Sequence, residues 1–159
     1  MASDTFLKVG DIKGESADDR HREEIDVLAW SWGVVQTASA SGTGKGKGRA
    51  TFSDFSFTHL VDKASPSLMR ACATGEHVKE AVLTVRKAGK GQQEYLIVKM
   101  ADVIVTGVHP SGSGGGDGLV EMFSLQCAKV DLEYKPQKAD GSLDAGIRFK
   151  FDIKANKPL

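Results

Sequence analysis

Two cysteines, Cys72 and Cys127, are too few to staple the fold of this chain. An unordered pair makes no disulfide framework, and both lie among apolar residues where reduced, buried thiols are expected. Long apolar runs are also missing. The longest, such as Tyr95 to Val98, fall far short of the roughly 20 residues that a membrane-spanning helix needs. The segment Met1 to Lys8 carries Asp4 and has no apolar stretch of the signal-peptide kind. Synthesis is therefore expected to end in the cytoplasm, with any export by a route other than the general secretory one. Net charge is absent as well. Lys+Arg and Asp+Glu balance at 21 each, which removes the basic field of a general nucleic-acid binder and the acidic bias of a solvating tail, and favours self-association.

The motifs that carry common chemistries are missing too. The glycine-rich segment 42–48 fits neither G-x-x-x-x-G-K-[ST] nor G-x-G-x-x-G and opens no capped helix, so it does not read as a phosphate cradle. His21, His59, His77 and His109 lie in separate segments, and no H-E-x-x-H or paired C-x-x-C supplies metal ligands. Cys72 and His77 flank one helix end, but two ligands do not make a structural zinc site. His59 alternates with Phe55 and Phe57 and reads as a core or edge histidine. No G-x-S-x-G and no cysteine in an electropositive setting is present. No metal, cofactor or catalytic residue is expected.

What is present is period-two alternation. Ile147, Phe149, Phe151 and Ile153 interleave with Arg148, Lys150, Asp152 and Lys154, a half-buried strand with a basic outer face. The aromatics stand opposite the charges, so they form no stacking platform for nucleic acid. Leu28, Trp30, Trp32 and Val34 form a second apolar row, expected to face the core, with small residues Ala29, Ser31 and Gly33 between them. Further strands are expected at Phe6 to Val9, Phe52 to His59, Ala81 to Lys87, Tyr95 to Val108 and Leu119 to Tyr134. Phe52 is out of phase with Phe55 and Phe57, and Phe123, Leu125 and Cys127 are out of phase with Val130, Leu132 and Tyr134. A one-residue bulge accounts for each. One helix is expected, Pro66 to Thr74, with Ser65 as N-cap and Gly75 just past its end. At 159 residues, with 40% hydrophobic and 26% charged, the chain reads as one mainly β domain, a two-sheet barrel or sandwich with one short flanking helix.

Three loops stand out. Glycines cluster at 42–48 and at 112–118. The segment Glu15 to Asp26 carries six acids against Arg20 and Arg22, a net minus four, whereas Lys45, Lys47 and Arg49 make the first glycine loop plus three. For paired carboxylates such as Glu23 and Glu24, solvation is a simpler explanation than acid-base work.

Specific runs give the pattern a name. Gly10-Asp11-Ile12-Lys13-Gly14-Glu15-Ser16, then His21, then Glu24 through Gly33, resemble the N-terminal signature of the haemolysin-coregulated proteins of bacterial type VI secretion. Resemblance continues at Phe57-Thr58, Asp62-Lys63, Ser65 to Met69 with Gly75, Leu83 to Gly89, Glu94 to Ile97, and Tyr134 to Gly141, in one order over nearly the whole chain. It implies a two-sheet barrel with a flanking helix, a hexameric ring around a wide channel, and stacking of rings into the inner tube. It further implies partnership with a spike protein, a contracting sheath and small effectors held in the lumen, and export from the bacterial cytoplasm without a signal peptide. No catalytic residues carry over. Under this reading Ala29, Ser31 and Gly33 line the lumen, and Glu15, Asp18, Asp19, Arg20, Glu23, Glu24, Gly44, Lys45, Lys47 and Arg49 serve subunit or stacking contacts. From the residues alone, a monomeric β-barrel binding a small or peptide ligand stays open, and tight packing explains the small residues nearly as well.

Overall fold

The structure, a computed structural model, describes residues 3–37, 48–89, 91–116 and 118–159. In chain order the elements are β1 (Ser3–Val9), β2 (Ile25–Asp26), β3 (Ala29–Ser31), β4 (Val34–Gln36), β5 (Ala50–Phe52), β6 (Phe55–Leu60), α1 (Ala64–Thr74), β7 (His77–Lys87), β8 (Glu94–Ser111), β9 (Val120–Tyr134), β10 (Ile147–Asp152) and β11 (Lys157–Pro158). The architecture is mainly β with one short helix. The main sheet runs β11-β10-β9-β8-β7-β1-β2, its pairings all antiparallel. The first half of β9 also pairs β6, which carries β3, while β4 and β5 form a two-stranded ribbon.

The expected barrel is corrected: among the described residues no pairing closes the sheet on itself. Between β2 and β3 the backbone changes partner at Val27–Leu28. The Val27 N–H donates to the Thr5 carbonyl and the Leu28 N–H to the Thr58 carbonyl, so the chain turns a corner where a ladder would have been needed for closure.

The phase change read in β9 is real, but its cause differs from the expected bulge. Cys127, Val103 and Val78 stand side by side facing the core, and so do Val130, Met100 and Ala81 three residues along each strand. The pairings Val103 with Cys127 and Ala101 with Lys129 keep one register, so neither strand gains a residue there. Instead β7, β8 and β9 change phase together, on a line where Asp102 adopts φ 55°. A coordinated change folds the sheet into two halves without breaking its ladders. The register irregularity of β8 on β9 lies farther on, between Val105 and Gly107. Phe52 and Phe55 are out of phase for a different reason: they belong to different sheets.

One continuous apolar cluster fills the fold. Leu7, Val9, Leu83, Val98 and Met100 come from one half of the sheet, and Phe55, Phe57, Val105, Phe123 and Leu125 from the other, with Leu68 and Ala71 of α1 packed against them. Trp32 stacks on Phe55 with ring centroids 4.6 Å apart, and Phe57 stacks on Phe123 at 5.2 Å. Each such buried phenyl ring contributes about 1.5–3 kcal/mol through lost water contact.

Helix α1 starts two residues earlier than expected, and Ser65 is not its N-cap. Asp62 accepts the Ala64 N–H with Oδ1, while buried Ser65 turns back so that its Oγ accepts the Asp62 N–H. Pro66 still falls in the first turn, where an amide proton would find no helical partner. Gly75 ends the helix at φ 67°, its N–H donating to the Cys72 carbonyl and the Glu76 N–H to that of Ala71.

Candidate assembly surfaces

Alternation places Ala29 and Ser31 on the outward face of β3, and both are exposed. Gly33 is half-buried, yet a Cβ built there meets nothing within 4 Å. The larger row between them is only partly covered: Trp30 and Trp32 pack against the core, whereas Leu28 is 63% exposed and Val34 51%. The expectation that all four face the core is thus corrected, because β3 is only three residues long and the chain leaves the sheet at both of its ends.

Ser31 pairs with Ser56 and Ala29 with Thr58 across to β6, then Ser56 with Ser124 and Thr58 with Met122 across to β9. Ser124 Oγ and Thr106 Oγ1 lie 2.7 Å apart, and Thr106 donates to Asp54 at 2.8 Å. A hydroxyl-rich outward field with Leu60, Val120 and Met122 at its margin results. Ser56, Thr58, Met122 and Ser124 escaped the sequence reading. Their signal was available as the positions alternating with Phe55, Phe57, Phe123 and Leu125, polar at all but Met122.

The charged segment Glu15 to Asp26 is an ordered loop, not a uniformly solvated one. Arg86, 3% exposed, pairs with Asp18 and, at 3.4 Å, with Asp4, while its guanidinium lies 4.8 Å from the centre of the Phe6 ring. The Arg86 hydrogen bond holds the Asp18 carboxyl down at about 2, and the Arg20 and His21 N–H groups bonded to Asp18 add to that effect. His21 stacks flat on Phe6 at 4.4 Å and places Nδ1 3.0 Å from Glu24. Asp18 and Glu24 are thus turned to partners within the chain. Glu15, Asp19, Arg20 and Glu23 are exposed, although Glu15 accepts the Lys63 N–H and Glu23 pairs with Lys63 at 3.7 Å.

Arg49 sits at the end of the β4–β5 ribbon where the connection between its strands begins, and its carbonyl accepts the Thr37 N–H. Trp32 and Phe151 anchor that ribbon through Phe52, at 5.6 and 5.1 Å. Gly44, Lys45 and Lys47 lie outside the described residues.

Among the described residues no group of three or more His, Cys, Asp or Glu side chains is placed to hold a metal ion, and no helix is long and apolar enough to cross a membrane. Cys72 and Cys127 are free, and burial pushes the Cys127 thiol up to about 12, with Asp54 adding to the shift. His59 is buried, and its Nε2 lies 2.8 Å from Oε1 of equally buried Glu121.

Comparison with known proteins settles the family. The family model described as type VI secretion system effector, Hcp, matches residues 6–134. Protein hcp1 of Pseudomonas aeruginosa is 51% identical over 159 aligned positions covering 98% of each chain. The chain belongs to the Hcp family of type VI secretion proteins. Among solved structures, Hcp1 from Salmonella typhimurium is similar with a TM-score of 0.83 and 39% identity over 100% of both chains. A type VI secretion system effector from Yersinia pestis is similar at 0.78 and 37%, over 94% of this chain and 100% of that one. A further type six secretion system protein reaches 0.92 at 28% identity, over 99% and 100%. The Hcp family is a family of type VI secreted proteins.

Proposed function

We propose that this Hcp protein is a structural subunit, not an enzyme, of the type VI inner tube. Its copies close into hexameric rings that stack, sit beneath the spike and inside the sheath, and carry or chaperone effectors in the lumen. The observation supporting this is apolar surface left uncovered by one chain in two separate places. Leu60, Val120 and Met122 border the hydroxyl-rich face, while Tyr134, Ile147 and Phe149 lie where β9 and β10 pair. Contiguous exposed apolar surface of this kind marks an interaction site. Two different patches on one chain suit a heterologous contact, which closes into a ring when the rotation allows. In this reading Ala29, Ser31 and Gly33 face the lumen, and the exposed acids of Glu15 to Asp26, together with Gly44, Lys45, Lys47 and Arg49, meet neighbouring copies.

The test is size-exclusion chromatography with light scattering, combined with effector pull-down. The wild-type protein is expected at several times the 17.0 kDa chain mass. Ser31→Trp, at an exposed position, is expected to keep that mass and lose effector retention. A monomer, or unchanged retention by the variant, would contradict the tube and lumen assignments respectively.

A further inference from the structure

Where β6 gives way to α1, three titratable side chains meet inside the fold. His59 of β6 and Glu121 of β9 are register partners on the core-facing side, both side chains are 0% exposed, and the His59 and Phe123 rings meet edge to face at 5.0 Å. Asp62, in the short connection to α1, brings Oδ2 to 3.6 Å from His59 Nδ1, with its side chain only 12% exposed. Among the described residues no Lys or Arg forms an ion pair with Asp62 or Glu121; the neighbouring Lys63 reaches Glu23 at 3.7 Å instead. Two carboxyl groups thus share one imidazole in a place with little water.

Hydrogen-bond valence leaves a gap in this cluster. A carboxylate oxygen only accepts, so with Glu121 Oε1 at 2.8 Å it is His59 Nε2 that carries the proton. Buried Nδ1 is then left without a hydrogen-bond partner, turned toward a second oxygen that also only accepts. A separation of 3.6 Å is too long for an ordinary N–H···O bond, which spans about 2.7–3.2 Å. It does match two donors on one ion: bonds of roughly 2.0–2.2 Å at tetrahedral angles place a nitrogen and an oxygen about 3.4 Å apart. The other half of the ring fits as well, because a metal-ligating histidine commonly donates its second N–H to a carboxylate, which fixes its tautomer and orientation. Asp62 Oδ1 accepts the Ala64 N–H at 2.9 Å, which leaves Oδ2 as the atom facing the ring.

We infer that His59 Nδ1 and Asp62 Oδ2 are the protein ligands of a divalent transition-metal site of the zinc class. Glu121 positions His59, and water completes the coordination from the exposed side of Asp62. Imidazole with carboxylate suits zinc or cobalt, whereas calcium and magnesium prefer oxygen alone. An ion held there braces the end of β6 against the first turn of α1, since Asp62 is also bonded to Ala64 and Ser65. Two protein ligands hold a metal less tightly than the four of a structural zinc site, so the fold does not depend on the ion.

Calorimetric titration of untagged, chelator-treated protein with zinc chloride tests the site. The wild type is expected to bind one equivalent that Asp62→Asn does not bind, although asparagine keeps an oxygen for the Ala64 N–H and the variant should retain the wild-type circular dichroism. The exposed pair of His77 with Asp102 is another place for zinc to land, and His77→Gln is expected to leave the equivalent in question intact. Glu121→Gln is expected to weaken it about 10–100-fold. In 15N-labelled protein, zinc is expected to shift the His59 Nδ1 resonance while Nε2 stays protonated. If the wild type and Asp62→Asn take up zinc alike, or both His59 nitrogens stay protonated with zinc present, a proton fills the gap and the metal assignment is overturned. Neither result bears on the tube reading, which rests on other surfaces.

Discussion

Glu121 occupies an inward position of β9 that alternation otherwise gives to Phe123, Leu125 and Cys127, and it lies directly opposite His59 of β6. Both side chains are 0% exposed and joined at 2.8 Å, with His59 Nδ1 3.6 Å from Asp62. Replacing Glu121 by Leu removes the partner of His59 Nε2 in a place water does not reach. A buried polar group left without its partner costs about 1–3 kcal/mol, and about 3–5 kcal/mol if the pair is ionised. In a chain of this length 1 kcal/mol corresponds to roughly 2–4 °C in Tm, so Glu121→Leu is expected to lower Tm by at least several degrees. The double variant His59→Leu with Glu121→Leu leaves no orphan and fills the same space with apolar groups, so it is expected to recover much of the loss. Thermal and urea unfolding of all four proteins at one fixed concentration completes the cycle, since assembly adds a mass-action contribution to stability. If the single variant costs less than about 0.5 kcal/mol, the size of an ordinary surface change, or if the double variant loses the sum of the singles, the pair is not coupled and the reasoning fails.

Gly14→Ala is expected to cost about 1–3 kcal/mol, the usual effect of overpacking, because the new Cβ would lie 2.5 Å from the Glu24 carbonyl oxygen, which belongs to backbone and cannot swing aside; a urea midpoint equal to the wild type's would count against it. For Asp18 the sign is that of a depressed carboxylate: with a folded value near 2 against the ordinary 3.8, its ionised form stabilises the fold above about pH 4, and that stability is lost as pH falls toward 2. The wild type should therefore lose more stability than Asp18→Asn between pH 4 and pH 2, and parallel curves would remove Asp18 from the account. With its thiol held at about 12, Cys127 should stay unalkylated by iodoacetamide at pH 8 in the folded protein and react only after unfolding, as mapped by peptide mass spectrometry. Prompt labelling of Cys127 would contradict its burial.

Much of the fold was legible because period-two alternation is a direct imprint of a sheet with one wet face. Ala81 to Lys87 and Tyr95 to Val108 fall inside β7 and β8, and the helix end at Gly75 follows from the αL conformation that glycine takes without strain. What stayed hidden depends on partners distant in sequence. Ser65 looks like a cap, but Lys63 holds the cap position without a side-chain bond and Asp62 Oδ1 accepts the Ala64 N–H, since a local pattern does not say which acceptor reaches the first amides. The phase change at Cys127 to Val130 was visible, whereas its cause, three strands shifting together, exists only once β7 and β8 stand beside β9. In the acidic loop, composition gave the net charge but not that Asp18 is claimed by Arg86, which lies 68 residues away. The exposed row Ile147 and Phe149 read as core for the same reason: alternation reports which face is apolar, not whether one chain suffices to cover it.

In the function proposed above, this chain works by joining copies of itself into a hollow ring. Class averages of the purified protein in negative-stain electron micrographs, viewed along the symmetry axis, test that claim most directly. Closed sixfold rings with an open centre are the expected images. A field of single particles of 17.0 kDa size, with no rings at any concentration examined, would contradict it.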